Sequence, residues 1–321
     1  MGYGNYSFAA HSALTASRAH QSRDEVFTQT QCHALMNPKG LKVRESRDSA
    51  EHPNALGIIF ALDVTGSMGD IPHLLAKEEL PNLMKLLGAC HVPDPQVMFM
   101  AIGDATSDQA SLQVGQFETT AELMDQWLTW SYLEGGGGGS GSESYELGFY
   151  VAAQHTDTDN WAKRKKKGYF FMTGDEYPYP TVSRHQVEAL IGDKLDEDIP
   201  VEEVIAAAAE MYHLFFLIPD AQRGKNVGAH WRKLLGDHAI TMESPKDTCS
   251  VAAAIVGLTE KRIADLDELA KILSANGFDP QHIGSTLRAV RHYAALLSPQ
   301  AVGTFSADGK AHTAWWKRLF G

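Results

Sequence analysis

The run Gly57-Ile58-Ile59-Phe60-Ala61-Leu62 has no polar alternation and leads straight into Asp63-Val64-Thr65-Gly66-Ser67-Met68. A strand apolar on both faces must be covered on both faces, as in a parallel sheet flanked by helices. Helical spacing follows at Ile71, Leu74, Leu75, Leu80, Leu83, Met84 and Leu87. The stretch therefore ends a central strand and opens a helix. Ligands of open α/β sheets bind at the carboxyl ends of strands. A carboxylate and two hydroxyls at alternate positions of a tight turn can converge on one point. Hard oxygen donors of this kind suit Mg²⁺ or Mn²⁺. The competing reading is a plain helix N-terminus, with Ser67 or Asp70 capping free N–H groups.

Other segments repeat the strand–helix pattern. Pro81 predicts a kink or break near Leu80. Val97 to Ile102 is a second buried strand, ending in Gly103-Asp104. Leu112 to Phe117 alternates, as a half-exposed edge strand does. Thr119 with Glu122 predicts a capping box for the next helix. Glu134 to Glu143 is glycine-rich and joins two amphipathic helices. Gly168 to Thr173 is another buried strand, followed by Gly174-Asp175-Glu176. Helices are expected over Ser183–Gly192, Asp198–Glu210, Val227–Leu235 and Cys249–Leu258. Strands are expected over Leu214–Ile218 and Ala239–Met242. Strands alternating with helices from Gly57 to Leu258 predict a doubly wound α/β sheet, covered on both faces.

Asp63-x-Thr65-x-Ser67 resembles the D-x-[ST]-x-S motif of the von Willebrand factor A (vWA) domain, which forms that family's metal-ion-dependent adhesion site. The resemblance covers roughly residues 55 to 258. It implies a mostly parallel, Rossmann-like sheet with one antiparallel edge, for which Leu112 to Phe117 is the candidate. Gly141-Ser142-Glu143 is similar to the G-G-G-x-x-P-E form of the family's second loop, with Ser142 where proline is common and without the Thr used by other members. Thr173-Gly174-Asp175 departs from the widespread T-D-G and is closer to the G-D-x-P-P-H form that accompanies the Gly-Gly-Gly/Glu loop.

The resemblance implies that Asp63, Thr65 and Ser67 hold Mg²⁺ or Mn²⁺ directly or through water. Glu143, with Ser142 as alternative, and Asp175, with Glu176 as alternative, complete the protein side. An open coordination position then takes an Asp or Glu of a partner protein. Intracellular prokaryotic members often work beside AAA+ ATPases or in multiprotein assemblies, which implies an adaptor or subunit role. Read from its residues alone, Glu143 also fits a capping box with Ser140. Asp104 follows the second strand at the same sheet edge as Asp63. It either orients first-loop residues, marks an auxiliary cation site, or caps the following turn.

Residues 1–54 are polar and read as an extension that wraps the domain or stays loose, or else as an arm for a neighbouring subunit. Val26-Phe27-Thr28 and Leu41-Lys42-Val43 are its candidate strands. Residues 259–321 carry two amphipathic helices and an apolar Trp315-Trp316 tail, a helical extension to the 55–258 domain.

The net charge of −12 argues against a polyanion binder. Lys163-Arg164-Lys165-Lys166-Lys167 is the one basic run; it reads as a solvated loop, with a nucleic-acid-associated scaffold as the weaker alternative. Cys32, Cys90 and Cys249 form no C-x-x-C pair and give no disulfide framework. No apolar run approaches a membrane span, no charged-then-apolar leader is visible, and Tyr6 spoils a myristoylation signal. The expectation is a cytoplasmic protein. An enzyme alternative is a haloacid dehalogenase-like Mg²⁺-dependent phosphatase with Asp63 as nucleophile. Its general acid two residues later would be Thr65, which cannot serve.

Overall fold

The computed structural model describes residues 4–18, 20–75, 79–133, 141–298 and 301. A six-stranded sheet runs through its centre. The strands are β1 (Leu56–Asp63), β2 (Pro95–Ile102), β3 (Leu112–Val114), β4 (Gly168–Thr173), β5 (Tyr212–Ile218) and β6 (Ala239–Thr241). Their order is β6-β5-β4-β1-β2-β3. All pairs are parallel except β2 with β3. Strand order reverses between β1 and β4, and a crevice opens where neighbouring loops leave in opposite directions.

The uninterrupted apolar strands are sorted between two cores by the twofold alternation of side chains. Ile58, Phe60, Leu62, Phe99, Phe171 and Phe215 face one core. Ile59, Ala61, Met98, Met100, Phe170 and Phe216 face the other. The main helices are α1 (Phe8–Ser17), α2 (Leu80–Ala89), α3 (Ala121–Thr129), α4 (Tyr145–Gln154), α5 (Val201–Met211), α6 (Ala221–Leu235), α7 (Thr248–Thr259), α8 (Leu266–Ala275) and α9 (Pro280–Leu297). Helices α4, α5 and α6 cover the second core; α2, α7, α8 and α9 cover the first.

Residues 76–78, just before the expected break near Leu80, lie outside the described residues. A short turn, Ile71–Leu74, precedes α2, and Pro81 lies in the first turn of α2, where its missing N–H costs nothing. The edge strand is antiparallel, as expected, but shorter and not half-exposed: Leu112, Gln113 and Val114 are all buried. The polar extension covers it. Met36 O accepts from Val114 N at 2.8 Å, and Arg44 Nη2 donates to Val114 O at 3.0 Å. Gln113 is satisfied in place, exchanging two hydrogen bonds with the Tyr132 backbone. The cap of α3 is Thr120, one residue later than the expected Thr119.

Within residues 4–54 the strand expected at Val26-Phe27-Thr28 is the end of a helical turn, Arg23–Val26, capped reciprocally by Ser22 and Glu25. The strand expected at Leu41-Lys42-Val43 falls on Arg44–Ser46, paired in parallel with Thr156–Thr158. Helix α1 packs on α2 and α3, and Arg18 makes a two-pronged ion pair with the buried Asp125. The extension wraps the sheet domain.

Helices α8 and α9 are joined to the first core rather than hung from it. Ile263, Leu266, Leu269, Leu273, Ile283, Leu287 and Val290 are buried in the same cluster as Phe171 and Phe215. The Tyr293 ring meets Phe215 edge-on at 5.1 Å. Asn276 caps α8, and Gly277 follows in the left-handed region (φ +87°), as the helix stop requires. The Trp315-Trp316 tail lies outside the described residues. No helix among the described residues is long and apolar enough to cross a membrane.

The basic run is engaged internally. Lys163 pairs with Asp159 and Asp48, Arg164 with Asp48 and Ala55 O, Lys166 with Glu260, and Lys167 with Ala209 O. Lys165 lies over the Trp161 ring. These contacts tie the start of β4 to its surroundings.

Candidate metal centre at the switch point

Strand β1 delivers Asp63 to the carboxyl edge fully buried. The chain then turns back on that carboxylate: Asp63 Oδ1 accepts from Thr65 N at 2.9 Å and from Thr65 Oγ1 at 2.6 Å. A single 3₁₀ turn, Gly66–Met68, follows. It brings Ser67 Oγ to 3.2 Å from Thr65 Oγ1. Asp63 and Thr65 are buried, whereas Ser67 is exposed, so the row opens outward at Ser67.

Strand β4, next to β1 across the switch point, delivers the third loop. Ser67 Oγ donates to Asp175 Oδ1 at 2.8 Å. Asp63, Thr65, Ser67 and Asp175 therefore form one continuous row of oxygens. Each hydroxyl hydrogen in a Thr65–Asp63 or Ser67–Asp175 bond points at a carboxylate, which leaves hydroxyl lone pairs free to accept a cation or a donor.

Tyr145 ties the three loops together, a role that its place on the apolar face of α4 did not announce. Its hydroxyl donates to Asp63 Oδ2 at 2.5 Å and lies 3.3 Å from Asp175 N and 3.4 Å from Glu176 N, from which it accepts. The ring is held edge-on by Phe216 and Trp231. Gly174 is required here by close approach: a Cβ at this position would stand 2.4 Å from the Tyr145 hydroxyl oxygen. The Gly-Asp order of the third loop and the Glu143-Ser144-Tyr145 sequence of the second are thus one packing solution.

Glu143 stands just before α4, whose N-cap is Ser144. It is not in the first helical turn, where a capping box would need it, and Ser140 lies outside the described residues. Glu143 is buried, and its Oε2 has no hydrogen-bond partner. Burial first, then the charges of Asp63 and Asp104, push its carboxyl up to about 9. Asp63 is likewise pushed up to about 7 by burial, against the lowering effect of its bonds to Thr65 and Tyr145. Neither carboxyl has a basic partner among the described residues. A buried carboxylate without a counterion is costly and takes up either a proton or a cation.

Of the alternative site residues, Ser142 is half-buried and pairs through its backbone with Tyr177. Glu176 is half-buried; its carboxyl is raised by burial and by Asp175. Asp104 takes the turn-capping role. Its Oδ1 accepts from Thr106 N at 2.9 Å and Thr106 Oγ1 at 2.7 Å, repeating at the end of β2 the geometry of Asp63 and Thr65. Tyr179 OH adds a bond at 3.0 Å. Asp104 is fully buried rather than solvent-facing and acts on Glu143 through its charge. Glu146, fully buried one helical turn beyond Glu143, accepts from Tyr179 N and leaves Oε1 unpartnered; burial pushes its carboxyl up to about 8.

Arg223, in the first turn of α6, is the other residue that sequence reading passed over. The helix was expected from Val227, where apolar spacing begins, because Gly224 and three polar neighbours hide its start. Asp220 caps it, accepting from Gln222 N and Arg223 N at 2.9 Å. The guanidinium reaches the row of oxygens: Nε donates to Asp175 Oδ2 at 2.7 Å, Nη2 to Ser67 O at 2.6 Å, and Nη1 to Asp220. The available signal was an Asp at an N-cap just beyond β5, on the same sheet edge as Asp63 and Asp175.

No three His, Cys, Asp or Glu side chains among the described residues form a ready metal cage. The oxygens brought together are instead those of Asp63, Asp175 and two hydroxyls, and Glu143, with Oε2 unpartnered, feels the charge of Asp63. This fits a hard divalent ion that keeps several waters.

No family model and no curated protein matches the chain. Among solved structures it is similar to the pilus adhesin SpaC from Lactobacillus rhamnosus GG in its open conformation, at 11% identity and a TM-score of 0.42, over 72% of this chain and 31% of that one. A second form of the same adhesin gives 11% identity and a TM-score of 0.43, over 72% and 32% of the two chains. Proximal thread matrix protein 1 from the mussel byssus gives 10% identity and a TM-score of 0.38, over 70% and 51%. The chain thus spans about a third of the adhesin's length.

Proposed function

We propose that this chain is a protein-binding module of the vWA kind, which uses Mg²⁺ or Mn²⁺ to receive an Asp or Glu of a partner protein. The observation that carries the reading is the unbroken row Asp63–Thr65–Ser67–Asp175 at the switch point, with buried carboxylates at both ends and Ser67 exposed between them. Asp63, Thr65, Ser67 and Asp175 would hold the ion, with Glu143 beside them. When bound, the ion supplies a positive centre with an exchangeable position.

This chain's own residues do the rest. Tyr145 and Gly174 fix the three loops. Thr65 and Ser67 present oxygen lone pairs while their protons bond the carboxylates. The buried carboxylates of Asp63 and Glu143, without basic partners, favour a cation. Exposed Ser67 marks where a partner would approach. The dehalogenase alternative gains no support from these contacts: Thr65 donates to Asp63 instead of providing an acid, and both Asp63 oxygens already accept hydrogen bonds.

Calorimetric titration with Mg²⁺ and Mn²⁺ tests the reading. One ion is expected to bind the wild type, with binding lost in Asp63→Ala. Unchanged affinity in that variant would remove the assignment. Steady hydrolysis of a phosphate ester, abolished by Asp63→Asn, would replace the binding module by an enzyme.

A further inference from the structure

Asp175 divides its two oxygens between opposite kinds of partner. Oδ1 accepts from Ser67 Oγ, inside the proposed cation site, and Oδ2 accepts from Arg223 Nε at 2.7 Å. The same guanidinium reaches the backbone oxygen of Ser67 at 2.6 Å. A guanidinium stays charged at any working pH and presents a rigid fork of donors. A positive charge is therefore permanently seated against two members of the row.

Its position is set by local structure. Asp220 caps α6 and pairs with Arg223 three residues on. The arginine side chain is 31% exposed, so it is neither locked in the core nor free in solvent.

We infer that Arg223 is a resident cation that competes with the divalent ion for Asp175 and sets the metal affinity of the site. This deepens the cation-dependent reading and rests on it. An incoming ion meets a carboxylate whose charge is already countered, and it is repelled by the guanidinium. That repulsion scales with the charge of the incoming ion, so it opposes a divalent ion twice as strongly as Na⁺ or K⁺. Arg223 Nη1 also donates to Asp220, a bond that would still hold the guanidinium with an ion in place.

The test is Mn²⁺ alone, titrated by calorimetry into wild type, Arg223→Gln and Arg223→Lys, with thermal melts as fold controls. Arg223→Gln should bind Mn²⁺ tighter, by on the order of tenfold at low salt, since one unit charge within several ångströms of the ion is removed. Arg223→Lys keeps the charge and should stay within about threefold of wild type. The gap between wild type and Arg223→Gln should narrow as salt is raised, because the group is partly exposed. A residue that only held the loops together would give the opposite sign: Arg223→Gln would bind more weakly. Wild-type binding with an equal or weaker Arg223→Gln affinity overturns the inference and leaves the cation reading standing. Absence of Mn²⁺ binding in the wild type overturns both.

Discussion

Ser67 Oγ donates to Asp175 Oδ1 at 2.8 Å across 108 residues of chain. Neighbouring parallel strands carry the two residues: β1 ends at Asp63 and β4 at Thr173, with Leu62 in register with Thr173. The hydrogen bond closes a row of oxygens between the first and third loops, and the proposed function depends on that closure.

Asp63→Ala should abolish Mg²⁺ and Mn²⁺ binding while leaving the fold in place. The carboxylate is buried without a basic partner, so its loss removes a cost as well as three hydrogen bonds. A melting temperature within a few degrees of wild type, together with a flat calorimetric trace, is the expected pair of results. A collapse of the melt would mean that Asp63 is structural.

Proton competition should be visible in the metal affinity. Burial raises the carboxyls of Asp63 to about 7 and of Glu143 to about 9. Both bind protons more tightly in the folded chain than unfolded. The stability they contribute is therefore complete below about pH 4 and is lost as pH rises through 7 and then 9. Without metal, the melting temperature should fall over this span, and Mg²⁺ should offset the fall. Mn²⁺ affinity should rise between about pH 6 and pH 8, by up to roughly tenfold per pH unit for each proton displaced. A constant dissociation constant across that range would contradict the ligand assignment.

Tyr145→Phe and Gly174→Ala probe the tie between the loops. Removing the hydroxyl leaves the N–H groups of Asp175 and Glu176 without their acceptor and Asp63 Oδ2 without its donor. A cost of about 1–3 kcal/mol is expected, with weaker Mn²⁺ binding. Gly174→Ala should cost at least as much, because the new methyl group meets the Tyr145 hydroxyl oxygen at 2.4 Å. Denaturant melts and calorimetry report the two effects separately. Full wild-type metal affinity in Gly174→Ala would show that the tie does not shape the site.

Truncation after Leu258 should leave no folded domain. The segment beyond it buries Ile263, Leu266, Leu269, Leu273, Ile283, Leu287 and Val290 in the first core, largely against α7 and α2. At roughly 1.5–3 kcal/mol for each large apolar side chain, their loss is as large as the usual net stability of about 5–15 kcal/mol. A cooperative melt of residues 1–258 would restore the picture of an appended hairpin.

Much of this architecture was legible in local pattern. Gly57 to Leu62 and Gly168 to Met172 show no polar alternation because both faces of their strands are covered. Pro81 stands in the first turn of α2, a place set by its own backbone. The loop positions of Asp63, Thr65, Ser67 and Asp175 follow from the strands that end just before them.

What tertiary structure decided has in each case a nonlocal cause. Leu112 to Val114 is buried because residues of the polar extension reach the sheet edge, a contact unrelated to the alternation of that strand. Glu143 lies outside its helix because α4 begins only at Tyr145, with Ser144 at the N-cap position. Helices α8 and α9 belong to the first core because they pack on α7 and α2 and Tyr293 meets Phe215, and an amphipathic pattern does not name what it will cover. Tyr145 and Arg223 joined the site only through space. A tyrosine on an apolar helix face and an arginine in a polar helical turn carry no mark of their target until the strand order has brought the ends of β1, β4 and β5 to one edge.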